Sequence, residues 1–217
     1  RFNPLRGLTL ARIVAMEEAA ARGDWADLQW LWHHMLETDV TVAAAVAKRL
    51  SCIEQLDWEI RTIENSDAIL AAEQAVVLRY AYERIQNLQE AAKNIAFANF
   101  AGFSILEKIR TGYGPFIQRL EYVPCHHWTF RVEDKTWHFN PEARSGFRGG
   151  EAAELSRLVV YEAPTPLFKP ICRHFFAKQL ALSDWDTALE NGANQAVFMV
   201  GPPGTTEAKE QEYMNLA

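Results

Sequence analysis

No stretch of this sequence stays apolar for the roughly 18 residues a membrane span needs, and no charged-then-apolar leader opens it. Cysteine is scarce. Cys52, Cys125 and Cys172 are far apart and odd in number, which excludes a disulfide framework and fits a reducing compartment. Positive charge is short as well. Lys and Arg total 22 against 28 Asp and Glu, a net charge of −6. Tight, non-specific DNA binding works by neutralising phosphates, so this balance argues against it. A surface that DNA slides past without sticking is compatible with like charge. There is no internal repeat, no low-complexity tract and no Gly-x-Ser-x-Gly nucleophile elbow. What is present is ordinary for a globular protein, 49% hydrophobic and 23% charged in 217 residues, enough for one large or two small domains with a core. The chain opens on Arg1 rather than Met and is read as a piece of a longer one.

Apolar spacing predicts an all-helical opening. Thr9 is placed to cap a helix over 9–22, with Leu10, Ile13 and Val14 on one face, and Gly23 to end it. Asp24 is placed to cap the next helix, 25–37, where Trp25, Leu28, Leu31, Trp32, Met35 and Leu36 repeat at helical spacing. Asp39 should cap a third, with Val42, Val46, Leu50 and Ile53 inward. The period then switches to two at 55–62, where Leu56, Trp58 and Ile60 alternate with charged residues, the pattern of a half-buried strand. Helices are expected at about 68–86 and 88–101, stopped by Gly102. Strands follow at 103–110, 116–123, 127–132, 136–140 and 155–161, the third and fourth forming a hairpin across Glu133-Asp134-Lys135. Pro164, Pro166 and Pro170 lead into a long helix at about 171–190, then a short strand at 196–200 and the start of a last helix. The fold class is α+β.

Three constellations could carry chemistry. Gly201-Pro202-Pro203-Gly204-Thr205, between an apolar run and a helix, has the outline of a phosphate-binding loop. The slots that need Gly, Lys and Ser or Thr hold Thr206, Glu207 and Ala208, so the loop is read as a turn. Cys125, His126, His127, His138, Cys172 and His174 are metal-capable, but lack the paired spacing of a zinc site and are read as ordinary structural residues; no metal or cofactor is assigned. On a strand Cys125 and His127 would share a face, which formally allows a thiol nucleophile and its base, with no third group to orient them. His33 and His34 lie on the Trp-rich helix as boundary residues. The seven tryptophans suit core or subunit interface, and Trp25, Trp30, Trp32 and Trp185 are the interface candidates. Trp30, off the apolar face of its helix, is the best candidate for an exposed contact.

Ordered strings add a resemblance. Asn3-Pro4-Leu5-Arg6-Gly7-Leu8-Thr9 before a helix is similar to the opening of Mu-like phage portal proteins. Lys48-Arg49 followed by Leu56-Asp57-Trp58-Glu59-Ile60 resembles that family's helix-to-strand passage, and Gly102-Phe103-Ser104-Ile105-Leu106-Glu107 its next fixed point. Phe168-Lys169, Lys178, Ala181-Leu182, Asp184-Trp185, Leu189-Glu190 and Gly192 look like its long helix, and Pro202 to Glu210 continue in register. Family members are much longer, which implies that a C-terminal half lies beyond this chain.

The resemblance implies an N-terminal helical region at 1–54, an α+β wing-like domain with antiparallel strands at 55–165, and a long helix, short strand and truncated start of a C-terminal part at 166–217. It implies a structural, non-catalytic subunit of a closed, typically dodecameric ring at the capsid vertex of the virion, assembled in the host cytoplasm. The expected partners are terminase, capsid and head–tail connector proteins, with double-stranded DNA passing through the ring. Two readings compete with it: a helical interaction or regulatory module built on 9–53 without ring assembly, and an enzyme using Cys125 and His127.

Overall fold

A computed structural model describes residues 4–62, 67–110 and 116–193, together with 206, 207 and 209. They belong to two units, Arg1–Phe176 and Ala177–Ala217. The apolar run at 196–200 and the loop at 201–204 lie outside the described residues.

Helix α1 spans Leu10–Ala21. Thr9 is extended, and its hydroxyl accepts from the Arg12 amide at 3.2 Å, satisfying an N–H that has no partner inside the helix. The other end is closed by Gly23. Its amide donates to Ala20 O and the next amide, of Asp24, to Ala19 O, each at 2.9 Å. This paired wrap needs a left-handed residue, and Gly23 has φ +90°. The buried face of α1 is Ile13, Met16 and Ala20; Leu10 and Val14, expected beside Ile13, are exposed.

Helix α2, Ala26–Thr38, buries Leu28, Leu31, Trp32 and Met35. Asp24 does not cap it. Trp25 is the residue at the cap, without a side-chain bond, and the Asp24 carboxylate instead accepts from Ser145 Oγ at 2.9 Å and the Gly146 amide at 2.5 Å. Asp39 does cap α3, Val40–Glu54, accepting from the amides of Thr41 and Val42. Val46 and Leu50 face the core.

The half-buried strand expected at 55–62 does not form. Residues 56–62 carry no strand pairing, and Leu56 and Trp58 are exposed. Alternation decides which side chains share a face, but a strand also needs a neighbour to accept and donate along its length, and no described segment lies there to do so.

Helix α4 spans Ala68–Glu83, capped by Asp67. The single helix expected at 88–101 is two, α5 (Leu88–Ala96) and α6 (Ala98–Ala101), divided at Phe97 and stopped by Gly102 at φ +104°. Strand β1, Phe103–Arg110, is the centre of an antiparallel sheet between β2 (Ile117–Val123) and β5 (Leu158–Glu162). Leu106 faces Tyr122 on one side and Val159 on the other. The hairpin is β3 (Trp128–Arg131) and β4 (Thr136–Phe139), with Trp128 opposite Phe139. Two expected strand starts are 3-10 turns instead, Cys125–His127 ahead of β3 and Leu155–Arg157 ahead of β5. Helix α7 runs Phe168–Ala193, three residues earlier than expected at its start. Pro170 is accommodated because first-turn amides have no helical partner to lose.

One apolar core joins α1, α2, α3, α6, β1, the hairpin and residues 168–176 of α7. Trp32, Phe103 and Phe168 are among its largest fully buried side chains. Burying each contributes roughly 2–3 kcal/mol. A smaller cluster, Ala91, Leu106 and Leu120, seals α5 onto the other face of the β1–β2 pair. The fold is thus α+β, with two small antiparallel sheets, as the periodicity indicated.

Candidate functional site

Two of the strings that carried the sequence resemblance, Gly102-Phe103 and Phe168-Lys169, meet at a packing junction. Gly102 ends α6 and opens β1. A Cβ there would sit 3.1 Å from the Phe168 ring and 3.3 Å from that of Trp25. Trp25 meets Phe103 edge-on at 5.2 Å and Phe168 at 6.0 Å, and Phe103 packs on Trp137 at 4.5 Å. The backbone locks the same point, with Ala163 N–H donating to Gly102 O at 2.8 Å and Leu167 N–H to Asn99 O at 2.9 Å. Strings more than 60 residues apart in sequence, Gly102-Phe103 and Phe168-Lys169, are therefore two sides of one contact that sets where α7 begins.

The four candidate tryptophans have different placements. Trp32 is 2% exposed and lies parallel to Phe100. Trp25 is half-buried in the junction. Trp30 lies against its own chain: its ring stacks on His126 at 4.1 Å and 15°, and its Nε1–H donates to Ala143 O at 2.9 Å. Trp185, in the second unit, is 64% exposed, and Leu182 and Leu189 on the same helix are exposed too. Leu182, Trp185 and Leu189 follow i, i+3, i+7 spacing and share one stripe.

The metal-capable residues are separately engaged. The Cys125 thiol donates to Phe103 O at 3.2 Å and lies 3.4 Å from Tyr122 Oη; burial pushes it up to about 12, so it is a thiol and not a thiolate at neutral pH. His127 Nδ1 is 3.0 Å from Asn140 O, so the would-be base faces a backbone carbonyl. The 3-10 turn, unlike the strand expected there, buries Cys125 and leaves His126 and His127 half-exposed. The Cys172 thiol is held 3.6 Å from Met35 Sδ and is likewise pushed up to about 12, by burial and by Glu17. His138 contacts Thr136 Oγ1 at 2.8 Å and Gly150 O at 3.3 Å, and His174 is exposed. His126 is held down to about 4, first by burial against Trp30 and then by the neighbouring imidazoles of His127 and His33. Among the described residues no group of three His, Cys, Asp or Glu is placed to hold a metal ion.

A cleft of about 690 Å³ lies between the end of α1, the hairpin and the loop at 146–148. Arg22, Arg131 and Arg148 line it together with Asp24, Glu133 and Asp134, a set with no net formal charge. Arg131 donates to Arg148 O at 2.5 Å, which fixes the loop to the hairpin. Asp134 is lowered, mainly by the hydrogen bond from Thr136 Oγ1. These contacts brace structure; they present no nucleophile beside a base.

A family model described as the portal protein of Mu bacteriophage matches residues 29–217. The chain belongs to that family. No curated protein matches it. As a Mu-like phage portal protein it is a structural component of the virion, and its packing reads accordingly. Four of the five strings fall within the matched stretch, and Asn3 to Thr9 precedes it. In this portal chain the Gly102 and Phe168 strings are spent on the core junction, while the Asp184-Trp185 and Leu189-Glu190 strings lie on exposed helix. Among the described residues no helix is long and apolar enough to cross a membrane. What sequence reasoning missed is the junction itself: nothing in a linear string says that Gly102 and Phe168 touch, although a glycine stopping a helix immediately before a strand was the available signal.

Proposed function

We propose that the chain is one subunit of a closed portal ring of about a dozen copies at the capsid vertex. DNA passes through the ring during packaging and ejection, and the ring docks terminase and the capsid and head–tail connector proteins. Assembly takes place in the host bacterial cytoplasm. The observation that carries this reading is membership of the portal family over residues 29–217. The exposed stripe Leu182, Trp185 and Leu189 supports it, because apolar side chains in the family's own motif, left in water, are what a neighbouring subunit would cover. Trp185 is the tryptophan we assign to such a contact; Trp25, Trp30 and Trp32 are engaged within the chain. The net charge of −6 suits a conduit that DNA traverses without adhering. The stretches 1–54, 55–165 and 166–217 are proposed as functional parts of the subunit; one apolar core joins the first two with the start of the third, at 168–176.

Negative-stain imaging combined with native mass measurement tests the reading. Closed rings are the expected result. A homogeneous monomer from the complete portal chain would overturn it and would favour the helical interaction module.

A further inference from the structure

Helix α4 is the odd element of the first unit. Its sequence, AILAAEQAVVLRYAYE, is apolar around most of its circumference, yet none of its residues is buried. Ile69 is 76% exposed and Val76 63%, with Leu70, Val77, Leu78, Tyr80 and Tyr82 all above 44%. A helix that is apolar all round is a helix that is covered on more than one side. The extended residues just before it continue the surface: Leu56 and Trp58 are exposed, and Trp58 leans on Tyr82 at 5.8 Å. Nine of the twenty exposed large apolar side chains among the described residues fall on this stretch, so the patch is concentrated rather than scattered.

We infer that α4, with residues 56–58, is a surface on which a second copy of this chain docks. The inference rests on the ring reading and says which surface closes it. Area decides the occupant. At the exposures given, these nine side chains present on the order of 900 Å² to water, against the ~800 Å² that each partner contributes to a standard stable interface, and well beyond the roughly 300–600 Å² that is usual as the largest apolar patch on a monomer. A surface of that size fits a constitutive interface, and a ring of identical subunits supplies a second copy at every position. Because a ring contact is heterologous, α4 of one copy meets a different face of the next. The alternation at Leu56, Trp58 and Ile60, which pairs with nothing in the described chain, is explained the same way: its apolar side is covered by that neighbour.

The test uses the whole chain in two forms. Ile69→Lys with Val76→Glu places two charges where the side chains touch little of their own chain, so circular dichroism and the melting temperature should match wild type. Sedimentation at about 10 μM should show self-association of the wild type, weakened more than about tenfold in the double variant. In the second form a photocrosslinking amino acid replaces Val77, and irradiation should yield a covalent dimer of the chain. A double variant that assembles like wild type, or a crosslinker at 77 that captures no second copy, overturns the inference. Rings that persist in the double variant would sink the α4 surface and leave the ring reading standing. Association that depends on α4 but never forms rings in the microscope would do the opposite.

Discussion

Replacing Gly23 by alanine should be among the most damaging single-methyl changes in the chain. The residue has φ +90°, and a Cβ built there would lie 1.7 Å from the carbonyl oxygen of Phe130 and 2.7 Å from its carbonyl carbon. Adopting the left-handed region with a Cβ costs about 1–2 kcal/mol by itself. The clash cannot be relieved by turning a side chain, because the opposing atoms are backbone. Strand β3 must therefore retreat by more than an ångström. That retreat breaks the hydrogen bond from Phe130 N–H to Gly23 O, now 2.9 Å, and opens the bridge between Asp24 and Thr129. Each lost backbone hydrogen bond is worth about 1 kcal/mol. The total is about 3 kcal/mol, a large share of the 5–15 kcal/mol typical of a whole domain. For a chain of this size it corresponds to a drop of roughly 6–12 °C in Tm. Thermal unfolding followed by circular dichroism, with Trp128 and Trp137 fluorescence reporting the hairpin, measures it. A melt within 2–3 °C of wild type, about 1 kcal/mol or less, would refute the reasoning, because it would mean that α1 and β3 are not held face to face at Gly23.

His126 makes stability pH-dependent in a defined direction. Its imidazole is held down to about 4, against about 6.5 when unfolded, so the unfolded chain takes up a proton through that interval and the native chain does not. The contribution is complete above about pH 6.5 and is lost as pH falls towards 4; because the ring is half-exposed the loss is about 1–2 kcal/mol. His126→Phe keeps an aromatic ring against Trp30 and should remove this slope in urea titrations from pH 7 to 4.5, and an unchanged slope would count against the assignment. Thiol chemistry should separate the cysteines. Brief alkylation of the native chain at neutral pH should add one adduct, at exposed Cys52, because Cys125 and Cys172 are buried and their thiols are pushed up to about 12. Mass spectrometry showing two or three adducts without denaturant would contradict that burial.

Most helices were legible because their signals are local. Thr9, Asp39 and Asp67 bond to amides two or three residues away, and Gly23 and Gly102 stop helices by their own backbone geometry. The register of β1 with its neighbours was less so, although the strand itself, Phe103–Arg110, matched its apolar run. The misreadings have a common cause. Asp24 looks like a cap because it precedes a helix, yet Ser145 and Gly146 reach its carboxylate from 121 and 122 residues away. Residues 55–62 alternate like a strand, yet no described segment pairs with them. Cys125 and His127 look like same-face strand residues, yet Pro124 leads into a tight turn that buries one and not the other.

The tryptophans of α2 show where the boundary falls. Spacing alone placed Trp25 and Trp32 on the apolar face and Trp30 off it, because 3.6 residues per turn is a property of the backbone. Which partners they meet is not. His126, Ala143, Phe100, Phe103 and Phe168 come to them from 68 to 143 residues along the chain. Sequence by itself determined the family, the fold class and the apolar face of α2, since each depends on residue order over a few turns. Tertiary structure decided that the family's Gly102 and Phe168 strings are one junction, that Cys125 and His127 face different backbone carbonyls, and that α4 is left uncovered by the described residues. Those outcomes depend on which distant surfaces fill the same space, and close packing, not local pattern, selects them.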